Sequence, residues 1–129
     1  MDKKKILIVD DEKDVLAVLE RGLIAEGYSV TTTDNGNDAV RLAKSELPDL
    51  VILDILMPNM KGAEVAAILK EDIKTKDIPV VFLTCLLQKE EEERQGHVIG
   101  NNIFFAKPYN MKQLLAEIEA SMRKENITY

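Results

Sequence analysis

The sequence predicts an α/β fold, a doubly wound parallel sheet with helices on both faces, and three features of its 129 residues predict it. Continuous apolar runs, of the kind a parallel sheet buries on both sides, recur at Ile6–Val9, Leu50–Leu53 and Val80–Leu83. Between them lie stretches whose apolar residues return every three or four positions, the spacing of a helix with one buried stripe. Strands alternating with helices imply right-handed crossovers, which put helices on both faces. A polar residue ends each run at once, at Asp10, Asp54 and Thr84, and open α/β sheets bind ligands at the carboxyl ends of their strands.

Ile6–Val9 is rich in β-branched residues and forms the first strand, with Asp10 and Asp11 directly after it. From Glu12 to Glu26 the positions Val15, Leu16, Val18, Leu19, Gly22 and Leu23 make one helical stripe, and Gly27 supplies the stop. Tyr28–Thr33 is a second strand, polar enough to lie at a sheet edge. Asp34–Asn37 reads as a turn, and Asp38–Glu46 as a short helix ended before Pro48. The stretch Leu50–Pro58 carries the central strand, with Asp54 at its end. Ala63–Ile73 has helical spacing at Val65, Ala66, Ile68 and Leu69.

Val80–Leu83 is the fourth strand and Thr84 ends it. Gln88–His97 has no apolar residue to anchor it, so it reads as a solvated helix with frayed ends, supported by a Glu90–Arg94 pair. Asn102–Ala106 is the fifth strand, followed by Lys107 and Pro108. Met111, Leu114, Leu115, Ile118 and Met122 form the stripe of the last helix.

At this length the chain fits one domain, 1–129, able to bury roughly two-thirds of its unfolded surface without disulfides or metal. A net charge of -6 and no basic run beyond Lys3–Lys5 argue against direct nucleic-acid binding. No apolar stretch is long enough to cross a bilayer. The lone Cys85 sits in an apolar run and rules out a disulfide framework, which fits a reducing cytoplasm. The sole histidine, His97, has no ligand or nucleophile partner nearby and reads as a bystander.

Asp10, Asp11, Asp54, Thr84 and Lys107 thus all end strands and converge on one edge of the sheet. Each alone has a bland reading as a cap, a turn or a surface charge. Together, three carboxylates invite a divalent cation, and an oxygen-only donor set points to magnesium. A carboxylate can attack a phosphoryl group while a cation and a lysine neutralise the transferring oxygens and a hydroxyl donates to another.

These residues resemble the receiver domain of two-component response regulators, and the resemblance covers nearly the whole chain. Asp10–Asp11 match its acidic pair, Asp54 to Pro58 with Met60 and Gly62 its phosphorylation segment, Thr84 its hydroxyl residue, and Lys107–Pro108 its lysine–proline pair. The resemblance implies the flavodoxin-like strand order 2-1-3-4-5. It implies that Asp54 accepts a phosphoryl group from a histidine kinase or phosphotransfer protein, with magnesium held by Asp11, Asp54 and the carbonyl of Leu56, and Asp10 close by. It further implies a switch through Thr84 and the aromatic position, here Phe104 where tyrosine is frequent, acting on a downstream target or an effector domain.

Turnover would be limited to the chain's own phosphorylation and dephosphorylation. A magnesium-dependent phosphohydrolase of haloacid dehalogenase type also forms an aspartyl phosphate. Its pattern, however, has a second aspartate two residues after the nucleophile, where this chain has Leu56, and it usually carries a cap that this chain has no residues to build. A receiver-like module that is never phosphorylated is disfavoured by the intact acidic pair, Asp54, Thr84 and Lys107.

Overall fold

In chain order the elements are β1 (Lys5–Val9), α1 (Lys13–Ala25), β2 (Ser29–Thr33), α2 (Gly36–Glu46), β3 (Leu50–Asp54), α3 (Gly62–Glu71), β4 (Val80–Thr84), β5 (His97–Ile99), β6 (Asn102–Ala106) and α4 (Met111–Arg123). The computed structural model describes residues 3–55, 57, 60–84, 97–99, 102–107 and 109–123, with 84, 97–99, 102 and 106 described at the level of the backbone. The sheet runs β2-β1-β3-β4-β6-β5. Its first five strands are parallel, in the order 2-1-3-4-5 when parallel strands alone are numbered, and β5 adds an antiparallel edge beside β6.

The period of two along each strand sorts the core into two layers. Ile6, Ile8, Leu50, Ile52, Val81, Leu83, Ile103 and Phe105 pack with Leu19 and Leu23 of α1 and Leu114 and Ile118 of α4. Leu7, Val9, Val51, Leu53 and Phe82 face the other way, onto Ala39 and Ala43 of α2 and Val65, Ala66 and Leu69 of α3. The helices therefore cover both faces. All of β3 is buried, which its unbroken apolar run required.

Several boundaries differ from the sequence expectation. Gly36 and Asn37 belong to α2 rather than to a turn, because the Asn35 side chain accepts a 2.8 Å hydrogen bond from the Asp38 amide and caps the helix two residues earlier. Glu12 and Glu26 flank α1 instead of extending it, and α3 stops at Glu71, short of Ile73. Val18, counted in the stripe of α1, is 53% exposed. The solvated helix expected over Gln88–His97 and its Glu90–Arg94 pair lie outside the described residues except for His97, which is the first residue of β5 and not a helical one. Cys85 and Pro108 also lie outside them.

Candidate functional site

The parallel register brings the carboxylates together. Val9 of β1 pairs with Leu53 of β3, so Asp10 and Asp54 leave neighbouring strands at the same level. Both share the parity of the α1- and α4-facing residues, and both are buried, at 1% and 3% exposure. The Asp10 amide donates to the Thr33 carbonyl at 3.2 Å, extending the β1–β2 ladder by one rung and fixing where its side chain starts. Asp11 is exposed beside it.

Lys107, just past β6, closes the constellation. Its Nζ lies 2.9 Å from Asp10 Oδ2, 3.0 Å from Glu12 Oε1 and 3.5 Å from Asp54 Oδ2. Burial alone would lower its pKa, but hydrogen bonds to Asp10 and Glu12 and the charges of Asp10 and Asp54 outweigh it and hold the ammonium well above its usual range. Beside it, burial and the charge of Asp10 push the Tyr109 hydroxyl up, against a smaller opposite pull from Lys107.

Gly62 sets the floor of the site. Its amide donates to the Ile55 carbonyl at 2.9 Å, and a Cβ there would collide with the Asp54 carbonyl oxygen and lie 2.9 Å from Ile55 Cα. Only glycine lets α3 begin this close to the backbone that carries Asp54. Gly36 plays a similar part at the start of α2, where a Cβ would meet Met60 and Val65 side-chain atoms within 2.9 Å.

Of the residues expected from sequence, the structure brings Asp10, Asp54 and Lys107 into contact range and sets Asp11 next to them. Thr84 ends β4, paired in register with Ala106, while Leu56 lies outside the described residues. Phe104 is half-buried and stacks on Phe82 with ring centroids 4.9 Å apart and 16° between planes. Sequence reasoning missed Glu12. The signal was present as a third consecutive carboxylate after β1, but it was absorbed into the helix that follows.

Carboxylate oxygens of Asp10, Asp11 and Glu12 lie within 4.8 Å of one another. The set offers oxygen alone, and the buried Asp10 Oδ2 is approached only by the Lys107 ammonium among the described residues. Such a donor set fits a hard divalent cation of the magnesium type.

Residues 6–119 match the family model of the response regulator receiver domain. The curated protein named "Probable transcriptional regulator ycf27" of Guillardia theta is 38% identical over 124 residues, covering 96% of this chain and 47% of its own. The chain thus spans about half the length of that relative. Among solved structures, the signal receiver domain of a signal transduction histidine kinase from Syntrophus aciditrophicus superposes with a TM-score of 0.80 at 30% identity, covering 98% of this chain and 95% of that one. The N-terminal domain of a response regulator receiver protein from Methanoculleus marisnigri JR1 gives 0.67 at 36% identity, with 90% and 94% covered. A chemotaxis protein of Vibrio cholerae gives 0.79 at 27% identity, with 93% and 99% covered.

Proposed function

Since the chain belongs to the response regulator receiver domain family, whose members are signalling switches, we propose that Asp54 is its phosphoacceptor and that 1–129 acts as one receiver domain. The observation that carries this reading is the Lys107 ammonium poised between Asp10 and Asp54, at 2.9 and 3.5 Å. Asp54 presents a carboxylate whose oxygen attacks phosphorus. As the new O–P bond forms, the bond to the donor's leaving group breaks and that group departs with the electron pair. Lys107 neutralises charge growing on the phosphoryl oxygens, and the Thr84 hydroxyl donates to one of them.

Receiver domains bind magnesium at an acidic pocket, and here Asp11, Asp54 and the Leu56 carbonyl would hold it, with Asp10 orienting from behind. When bound it supplies further neutralisation of the transferring group. The donor we infer is a histidine kinase or phosphotransfer protein. Phosphorylation then biases a pre-existing equilibrium of the surface near Thr84 and Phe104, read by a downstream target or an effector domain. We infer a cytoplasmic location from the proposed kinase or phosphotransfer partner; separately, no helix among the described residues is long and apolar enough to cross a membrane. Family membership sets aside the phosphohydrolase reading.

Incubation with acetyl phosphate and magnesium, followed by intact-mass spectrometry, tests the proposal. One phosphoryl group is expected on the wild type and none on Asp54→Asn. Uptake by Asp54→Asn at the wild-type rate overturns it.

A further inference from the structure

We propose that Glu12 is a positioning residue that holds the Lys107 ammonium toward the start of α1, so that release of this contact limits how fast Asp54 takes up a phosphoryl group. The inference rests on the phosphoacceptor reading above.

Glu12 occupies the N-cap of α1 in an extended conformation, yet its side chain makes no capping hydrogen bond. Short side chains favour that position because they reach back to the first free amides, which a glutamate does poorly. Instead Glu12 Oε1 accepts a 3.0 Å hydrogen bond from Lys107 Nζ, 95 residues away. The Glu12 amide is satisfied independently, donating to Asp10 Oδ1 at 2.9 Å, so the backbone entry to α1 does not depend on the glutamate side chain.

An ammonium has three N–H groups. Asp10 and Glu12 take the two close approaches, at 2.9 and 3.0 Å, and Asp54 is left with the longer one at 3.5 Å. A phosphoryl oxygen arriving on Asp54 therefore competes with Glu12 for the same cation. Asp10 is buried and cannot be exchanged cheaply, whereas the Glu12 side chain is 60% exposed, so its carboxylate is readily rehydrated when the lysine leaves. A weak, exposed partner makes a releasable tether.

The test measures the rate of Asp54 modification by acetyl phosphate at saturating magnesium, so that cation affinity does not enter. Asp54 Oδ gains a bond to phosphorus while the bond to acetate breaks and acetate leaves with the electron pair, so no proton has to move. Glu12→Gln removes the charge. Glu12→Asp keeps the charge, shortens the reach by one methylene and improves the cap. Asp14→Asn, in the same first turn, removes an equal charge that Lys107 does not contact.

Exposed ion pairs are weak, so both Glu12 variants should phosphorylate about two- to five-fold faster, with Asp14→Asn at the wild-type rate. The Lys107 13Cε and 15Nζ resonances should move in both Glu12 variants and stay in place in Asp14→Asn. Two results overturn the tether. One is acceleration in Glu12→Gln and Asp14→Asn but not Glu12→Asp, which is simple repulsion of an anionic donor. The other is no acceleration in either Glu12 variant. A wild type that takes up no phosphate at all instead removes the phosphoacceptor reading, and this inference with it.

Discussion

Replacing Lys107 by methionine keeps a stem of similar length and deletes the one cation that the described residues place among Asp10, Glu12 and Asp54. Removing one partner of a fully buried ion pair costs about 3–5 kcal/mol, since the other charge stays buried without compensation. The side chain of Asp10, in the closest of the ion pairs, is 1% exposed, which places it in that class. Lys107 itself is 14% exposed, and the Glu12 contact is largely hydrated, so it adds little.

These discounts bring the expected loss to about 2–3 kcal/mol in the absence of divalent cations. With a urea dependence of about 1–3 kcal/mol/M, the unfolding midpoint should fall by about 0.7–3 M. Urea titrations in EDTA, followed by circular dichroism, measure it directly. Adding Asp10→Asn to Lys107→Met should recover most of the loss, because the stranded charge has gone. Magnesium should narrow the gap between Lys107→Met and wild type. A Lys107→Met midpoint at or above that of the wild type in EDTA refutes the argument that this lysine holds the cluster together.

Gly62→Ala should lose about 1–3 kcal/mol in urea unfolding, since backbone at Asp54 and Ile55 lies where the new methyl must go. Asp11→Ala should weaken magnesium binding in an NMR titration while leaving the fold intact, because Asp11 is exposed and holds no core contact. The stability contributed by Lys107, Tyr28 and Tyr109 should be lost above about pH 10: all three have folded pKa values raised above 10.5, 10.0 and 10.0, so their contributions are complete below those values and are lost as pH rises through the folded ones. Thermal melts from pH 7 to 11 measure this, and a loss already complete at pH 9 contradicts it.

The parallel sheet was legible because β1, β3 and β4 are buried on both faces and so had to be apolar throughout, a pattern that neither a half-exposed strand nor an amphipathic helix produces. The start of α2 was not, because Asp34–Asn37 has the composition of a turn and only the Asn35 cap, a side-chain geometry, turns Gly36 and Asn37 into its first helical residues. The edge strand β5 is three residues long, which leaves too short a run for any period to show. Val18 misled because spacing defines a stripe on α1 but not how wide a strip the sheet covers.

That Asp10, Asp54 and Lys107 come together was legible, whereas the Glu12 contact and the ranking of the lysine's partners were not, and strand spacing accounts for the difference. Asp10 and Asp54 lie on adjacent strands and meet by register alone, which the order of apolar runs already implies. Lys107 follows β6, which neighbours β4 and is separated by it from β3, so its charge has to cross roughly 10 Å of sheet to reach Asp54. A long unbranched cation leaving the strand end can do this where a short side chain cannot, and the same length lets it swing between acceptors on β1, β3 and α1. Which acceptor it favours depends on whether each carboxylate is buried or wet, information that no residue spacing carries. Burial fixes Asp10 as the anchor, and exposure makes Glu12 the partner that can be given up. The reach of one lysine therefore links β3, which carries Asp54, to the start of α1, so that on the proposed reading a change in charge at Asp54 should be felt where that helix begins.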